Sequence, residues 1–305
     1  MNRFLAAACM ALAILPAAAF AEERQYLGHG RLLTNDILGD GHDRWRSGSY
    51  AVSRVWGPEW TGALPGRAGR MLEFRINGET MAPQNLKTPA PGDRPFAGAL
   101  SFGLHSHFAA GAAEMSVGAD LVFTGPQTGL DELQQFLHDV LGGRDQSAFT
   151  RDTQIGNDMI PTMVIEAGRA VGLGGPLRLR PFVEGRWGAE SLVRAGADLS
   201  FGVSGQGALQ VRAPVTGHRY RVVDDSSHGL SLVLGGDVAH VADSEFLPGS
   251  RGFDLTDTRT RLRAGMRWEN AAGSSAFYGL TWLSEEFEAQ KEGQLVGSVR
   301  LNLKF

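Results

Sequence analysis

The stretch TRLRAGMRW, Thr260 to Trp268, puts Leu262, Ala264, Met266 and Trp268 on one side of an extended chain and Arg261, Arg263, Gly265 and Arg267 on the other. A period of two is the mark of a β-strand with one dry and one wet face. LRLRPFVEGRW, Leu177 to Trp187, repeats it, with Leu177, Leu179, Val183 and Trp187 opposing Arg178, Arg180, Glu184 and Arg186. MSVGADLVF, Met115 to Phe123, and GALSFGLHSH, Gly98 to His107, follow the same rule. A soluble β-sandwich would alternate as well, so the content of the polar face has to decide. Arginines at successive polar positions, and 41 glycines spread through the chain, suit a wide polar lumen inside an all-β transmembrane barrel. Trp187, Trp268 and Trp282 lie near strand ends, where a membrane interface favours amphipathic rings.

Segments of the roughly 9–11 residues that a tilted spanning strand needs number about twelve. They begin near Tyr26, Trp45, Arg70, Phe96, Ala112, Met159, Leu177, Ser191, Leu230, Thr256, Ser274 and Gln294. The last, LVGSVRLNLKF, ends on Phe305, as the assembly signal of outer-membrane barrels does. An even count sets both termini on the periplasmic side. NDILGDGHDR, Asn35 to Arg44, then becomes the first outer loop, MAPQNLKTPAPGDRP, Met81 to Pro95, the second, and residues 125–158 the third. Two inner connections, residues 57–69 and 203–228, are longer than the short turns expected there.

The N-terminus, MNRFLAAACMALAILPAAAFA, has a basic residue before an apolar run and small residues around Phe20, so residues 1–21 read as a cleaved signal peptide and 22–305 as the barrel. The one cysteine, Cys9, falls inside the signal, which leaves the mature chain no disulfide and no thiolate metal ligand. A formal charge of −4, without basic blocks, gives no reason to expect nucleic acid. No later apolar run is long enough for a membrane helix. The expected location is the outer membrane of a Gram-negative cell, and the expected state a monomer.

The third outer loop carries the one helical pattern. In TGLDELQQFLHDVLGG, Thr128 and Asp131 stand at capping-box spacing and Gly142 and Gly143 close the run. Leu130, Leu133, Phe136, Leu137, Val140 and Leu141 form one stripe, with His138 just beyond its edge near Asp131 and Gln134. That stripe has to bury itself against the barrel wall or a lipid chain.

Asp36, Asp40 and Asp43 surround Gly41, but Leu38 and Ser47 stand where an EF-hand needs ligands. The cluster is open to two readings, a metal site or a solvated acidic loop. Asn35 and Asp36 are adjacent and can serve one site only where a strand ends or bulges. His138 is a candidate general base or a solvated surface histidine, and His105 and His107 are expected to line the lumen. No nucleophile elbow, zinc-protease helix or phosphate loop is present.

Taken together, TND at Thr34 to Asp36, DRWRSG at Asp43 to Gly48, GDRPFAG at Gly92 to Gly98 and GPQTGLDELQQFLHDVLG at Gly125 to Gly142 resemble, in order, the motifs of the outer-membrane lipid A 3′-O-deacylases of the LpxR type. The resemblance spans essentially the whole mature chain. It implies a hydrolase that removes the 3′-linked acyl group from lipid A of lipopolysaccharide in the outer leaflet, at a site between the barrel wall and the loop helix. It implies His138 as the base that activates water, and Asn35 and Asp36 on the oxyanion side and as ligands of a calcium ion. Ser47, or in another alignment Arg46, stands where the family has a threonine. Arg144 falls at the family's acidic position, so Asp145 or Asp139 would supply that ligand. Lys87 and Arg94 are the cations implied for the substrate's phosphates. Two other readings are an outer-membrane phospholipase, for which no Ser-His-Asn set stands out, and a passive porin or structural barrel.

Overall fold

In the computed structural model, which describes residues 24–141, 145–225 and 227–304, one antiparallel sheet closes on itself. Its long strands are β1 (Gln25–Asn35), β2 (Trp45–Gly57), β3 (Met71–Ala82), β4 (Ala97–Ala110), β5 (Ala113–Thr124), β6 (Asp158–Gly168), β8 (Leu177–Trp187), β9 (Glu190–Gly202), β12 (Gly229–Ser244), β13 (Thr258–Glu269), β14 (Ser275–Leu283) and β15 (Gln294–Asn302). Each pairs with the next long strand, and β1 pairs with β15 through Leu33, Thr34 and Asn35 to close the ring. A short β7 (Val171–Gly174) extends the turn between β6 and β8. The twelve expected starts all fall within three residues of an observed one. The expected signal peptide, Gly142 to Arg144 and the terminal Phe305 lie outside the described residues.

The burial pattern is inverted relative to a water-soluble protein. Leu262, Met266 and Trp268 stand exposed, whereas Arg259, Arg261, Arg263 and Arg267 of the same strand are buried. Apolar side chains on the outside are at home only in hydrocarbon, and a closed ring leaves no unpaired backbone edge there. No helix of the described residues is long and apolar enough to cross a membrane.

The lumen is polar, as the alternation predicts, but it is filled. The long connection between β9 and β12 folds as a hairpin, β10 (Leu209–Arg212) with β11 (Arg219–Val223), that enters the barrel from the inner end. Its backbone lies so close to β1 that a Cβ on Gly30 would sit 2.3 Å from the Arg221 carbonyl oxygen. Arg212 pairs with Glu166 of β6 at 2.8 Å and with Asp198 of β9 at 3.0 Å. Arg221 pairs with Glu269 of β13, and Tyr220 shares a hydrogen bond with Ser53 of β2 at 2.7 Å. Tyr220, Val222, Leu209 and Val211 also pack on Leu32, Val55 and Met71 in the largest apolar cluster of the interior. The other long inner connection covers this hairpin, with Trp60 Nε1 donating to the Gly207 carbonyl at 2.9 Å. His105 and His107 line the lumen and pair with Asp120 and Glu73 at 3.0 and 2.7 Å.

A lumen plugged in this way is expected to conduct poorly. Replacing residues 209–223 with a short Gly-Ser turn is expected to raise single-channel conductance in planar bilayers by roughly tenfold or more over the wild-type background, because this hairpin is the segment that enters the lumen from the inner end. Equal conductance in the two proteins, with both barrels folded by heat-modifiable gel mobility, would show that the hairpin is not the plug.

Candidate active site at the outer mouth

Strand β1 stops at Asn35, and the chain folds back over β15. The Asp40 amide donates to the Leu295 carbonyl at 3.0 Å, and Tyr278 Oη donates to the Leu38 carbonyl at 2.9 Å. The loop returns into β2 through Trp45, a bulky residue with φ 51°. The left-handed region costs a side chain of this kind about 1–2 kcal/mol. The cost is met by packing, since Trp45 is buried with Leu247 and Phe287 and carries the Arg44 guanidinium 4.3 Å above its ring. A register shift between Arg46 and Gly48 follows at once. The twist sends Arg46 into the lumen and leaves Ser47 at the mouth.

Arg46 meets Glu79 at 2.5 Å, Glu190 at 3.1 Å and Glu286 at 2.7 Å. Arg94 joins the same network through Glu286 at 2.6 Å and is 1% exposed. Of the two alignments of the RSG turn, only the one with Ser47 puts a side chain at the loop. Arg94 therefore forms part of the barrel's packed interior and is not available to a substrate phosphate. Lys87 is exposed in the second outer loop. Its neighbour Leu86 ties that loop to the third, accepting at its carbonyl from the Ser147 amide at 3.0 Å and from Thr150 Oγ1 at 2.7 Å.

The third loop forms the expected helix, α1 (Leu130–Leu141), followed by a short α2 (Ala148–Asp152). It begins after a turn around Pro126 to Thr128, and Thr128 Oγ1 accepts from the Leu130 amide at 3.4 Å. Leu130 seats on the outer wall of β3 and β4, close enough that a Cβ on Gly98 would lie 3.1 Å from its own. Leu133, Phe136, Leu137 and Val140 point away from the protein, with Phe136 61% and Val140 64% exposed. Of the apolar stripe, Leu130 takes the barrel wall and these four are left exposed.

The opposite edge of α1 turns to the first loop. His138 Nε2 lies 3.0 Å from Asp43 Oδ2. Asp43 Oδ1 accepts from Ser47 Oγ at 2.6 Å and from Gln134 Nε2 at 3.3 Å, and Gln146 Nε2 donates to Gln134 Oε1 at 3.4 Å. One carboxylate thus joins two loops far apart in the chain, with its second oxygen against the imidazole. Asp43 is the site residue that the sequence reading did not assign. Its signals were its place in the motif DRWRSG and in the acidic cluster around Gly41. Ser47 gives its proton to this carboxylate, so it does not form the Ser-His pair of a serine hydrolase.

Asn35 and Asp36 meet at the same corner, as the end of a strand allows. The Asp36 amide and Asn35 Nδ2 both donate to the Ser47 carbonyl at 3.1 Å, and Asn35 Oδ1 accepts from the Ile37 amide at 2.9 Å. Asp36 is fully buried. Its Oδ2 accepts from the Arg44 amide at 2.8 Å, and its Oδ1 has no hydrogen-bond partner among the described residues. Burial, with help from the Asp43 and Asp40 carboxylates, pushes the Asp36 carboxyl up to about 8. An orphaned, buried carboxyl oxygen is a fitting ligand for a hard cation, whose charge would favour the ionised form. The rest of the implied set is not gathered around it: Asn35 is engaged with backbone, Asp145 stands exposed beyond α1, and no group of three carboxylates or imidazoles forms among the described residues.

The family model described as outer membrane protein LpxR matches residues 4–305. The chain belongs to the LpxR family. The solved structure of LpxR from Salmonella typhimurium superposes on it with a TM-score of 0.73 at 18% identity, covering 91% of this chain and all of the other, which establishes the shared barrel fold. The β domain of the Bordetella autotransporter BrkA (TM-score 0.43, 10% identity, 90% and 99% coverage) and the porin NanC (0.40, 5%, 90% and 100%) are more remote. No curated protein matches the sequence. The chain is an outer-membrane β-barrel of the LpxR family.

Gln134→Ala removes the helix's buried link to Asp43 and leaves the barrel intact. Losing such a bond costs about 1 kcal/mol, so limited proteolysis within the third loop is expected to speed up roughly fivefold while the strands stay protected. An unchanged cleavage rate would show that Gln134 does not hold α1 to the first loop.

Proposed function

We propose that the protein is a lipid A 3′-O-deacylase, a carboxylic ester hydrolase acting on lipopolysaccharide in the outer leaflet. The observation that supports this most is the His138–Asp43 contact at 3.0 Å, placed at the membrane-facing mouth beside a helix whose apolar side looks into the lipid. If His138 donates Nε2–H to Asp43, Nδ1 is the basic nitrogen that takes a proton from water, and the carboxylate stabilises the imidazolium that results. Water then adds to the ester carbonyl. The proton held on the ring passes to the departing sugar oxygen as the acyl group is released as a carboxylic acid, which then gives its remaining proton to solvent.

Ser47 and Gln134 are positioning residues, since both hold Asp43 rather than the reacting atoms. Asn35 and Asp36 are proposed on the side where the carbonyl oxygen becomes anionic. A calcium ion bound there would supply positive charge to that oxygen, with Asp36 Oδ1 the ligand this corner best supports. Acyl chains would lie along Leu133, Phe136 and Leu137 of α1, and Lys87 on the neighbouring loop would meet a phosphate. The same barrel with its lumen plugged is poorly suited to passive conduction. A phospholipase would require a Ser-His pair, and the Ser47 hydroxyl is directed to Asp43.

Mass spectrometry of lipid A after incubation with refolded protein tests the reading. The wild type with calcium is expected to release the 3′ acyl group. His138→Ala should lower the rate at least about a hundredfold, and Asp43→Asn by roughly 10–100-fold. A chelator is expected to suppress the wild-type reaction, with calcium restoring it. Lipid A unchanged by the wild type in the presence of calcium would overturn the proposal.

A further inference from the structure

The inner end of the barrel holds a second constellation, remote from His138. A cavity of about 360 Å³ lies between the inserted hairpin, the connection carrying Trp60 and Leu64, and the walls of β5, β8, β9 and β13. That is within the size range of small-molecule sites. Its charged lining is Arg178, Arg180, Arg219, Arg263 and Arg267 against only Glu114 and Asp198.

Two of these cations are neutralised. Arg180 pairs with Glu114 and Glu166, each at 2.7 Å, and Arg263 pairs with Asp198 at 2.6 Å and with Asp237. The other three rest mainly on neutral oxygens. Arg178 Nη1 donates to the Gln206 carbonyl at 3.0 Å, and Arg219 Nη2 to the Gln210 carbonyl at 3.1 Å, with Glu114 no nearer than 3.9 Å. Arg267 Nη2 donates to Gln210 Oε1 at 3.2 Å and to the Arg219 carbonyl at 3.1 Å, and it is 7% exposed. Arg267 is the buried one of the three, and a guanidinium held away from water on neutral oxygens is costly. One uncharged atom of a residue lining the same cavity is also buried and unpartnered among the described residues, Ser204 Oγ.

An excess of arginine, with a spare hydroxyl, is the chemistry that recognises a phosphate: planar forks that match its oxygens and a charge greater than one to neutralise. We propose that this cavity binds a small phosphate-bearing anion entering from the periplasmic end of the barrel. The site is separate from the hydrolytic one and stands whether or not that reading holds. The phosphate could belong to a free solute or to a phospholipid headgroup of the inner leaflet, and the test separates the two.

Isothermal titration calorimetry on the full chain, refolded in an uncharged detergent and phosphate-free buffer, would use inorganic phosphate and pyrophosphate in one arm and phosphatidylglycerol in mixed micelles in the other. Arg178→Gln changes an exposed side chain and is expected to fold. Arg267→Gln probes the buried cation. Each should weaken binding about tenfold or more, as expected for the loss of a charge-assisted contact, while Arg169→Gln in the neighbouring turn leaves it unchanged. Binding of a soluble phosphate with this pattern supports the proposal with a solute as occupant. Binding of phosphatidylglycerol alone with the same pattern supports it with a headgroup. No binding of either by the wild type, or binding that both variants retain, would overturn it.

Discussion

Hydrocarbon offers no hydrogen bonds, so the backbone of a chain in a membrane has to satisfy itself, and here it does so by closing one sheet. Much of the rest follows from that closure. With apolar side chains turned outward, the polar half of every strand is forced inward, where many arginines and carboxylates share a narrow space. Such charges can be kept out of water only in pairs with good geometry. Arg46 with three glutamates and Arg261 and Arg263 with Asp237 are that pairing. The packed interior in turn gives the outer loops a rigid rim on which to build.

At this rim two departures from regular structure do the positioning. Trp45 turns the chain through a left-handed residue, and the bulge after it separates Arg46 from Ser47. Neither would be tolerated without support from the ion network below and the apolar cluster of Trp45, Leu247 and Phe287 above. The buried Asp36 and the Asp43–His138 contact both hang on this segment. The strain is local, and it sits next to the proposed reacting groups.

The sequence made the barrel legible because alternation is a local property, and each strand shows it independently. The loop helix was legible for the same reason, and the pairing of Asn35 with Asp36 followed once a strand end was placed there. The contact between Asp43 and His138 was not legible, because it joins two loops whose separation is set by the closed sheet and not by spacing in the chain. Arg94 looked like a surface cation in a polar loop motif, yet Glu286, far along the sequence, draws it inside. Nothing about a tryptophan announces a left-handed backbone. The inserted hairpin showed only as a connection too long for a turn.

That hairpin also bears on how the ring is held closed. β11 lies against β1, while Arg212 and Arg221 reach carboxylates on β6, β9 and β13. It therefore joins the first strand to middle and late strands across the lumen, beside a β1–β15 seam that is paired over only three residue positions. The hairpin is an internal brace: beside a seam this short, its ion pairs and apolar contacts tie β1 to the opposite wall from within.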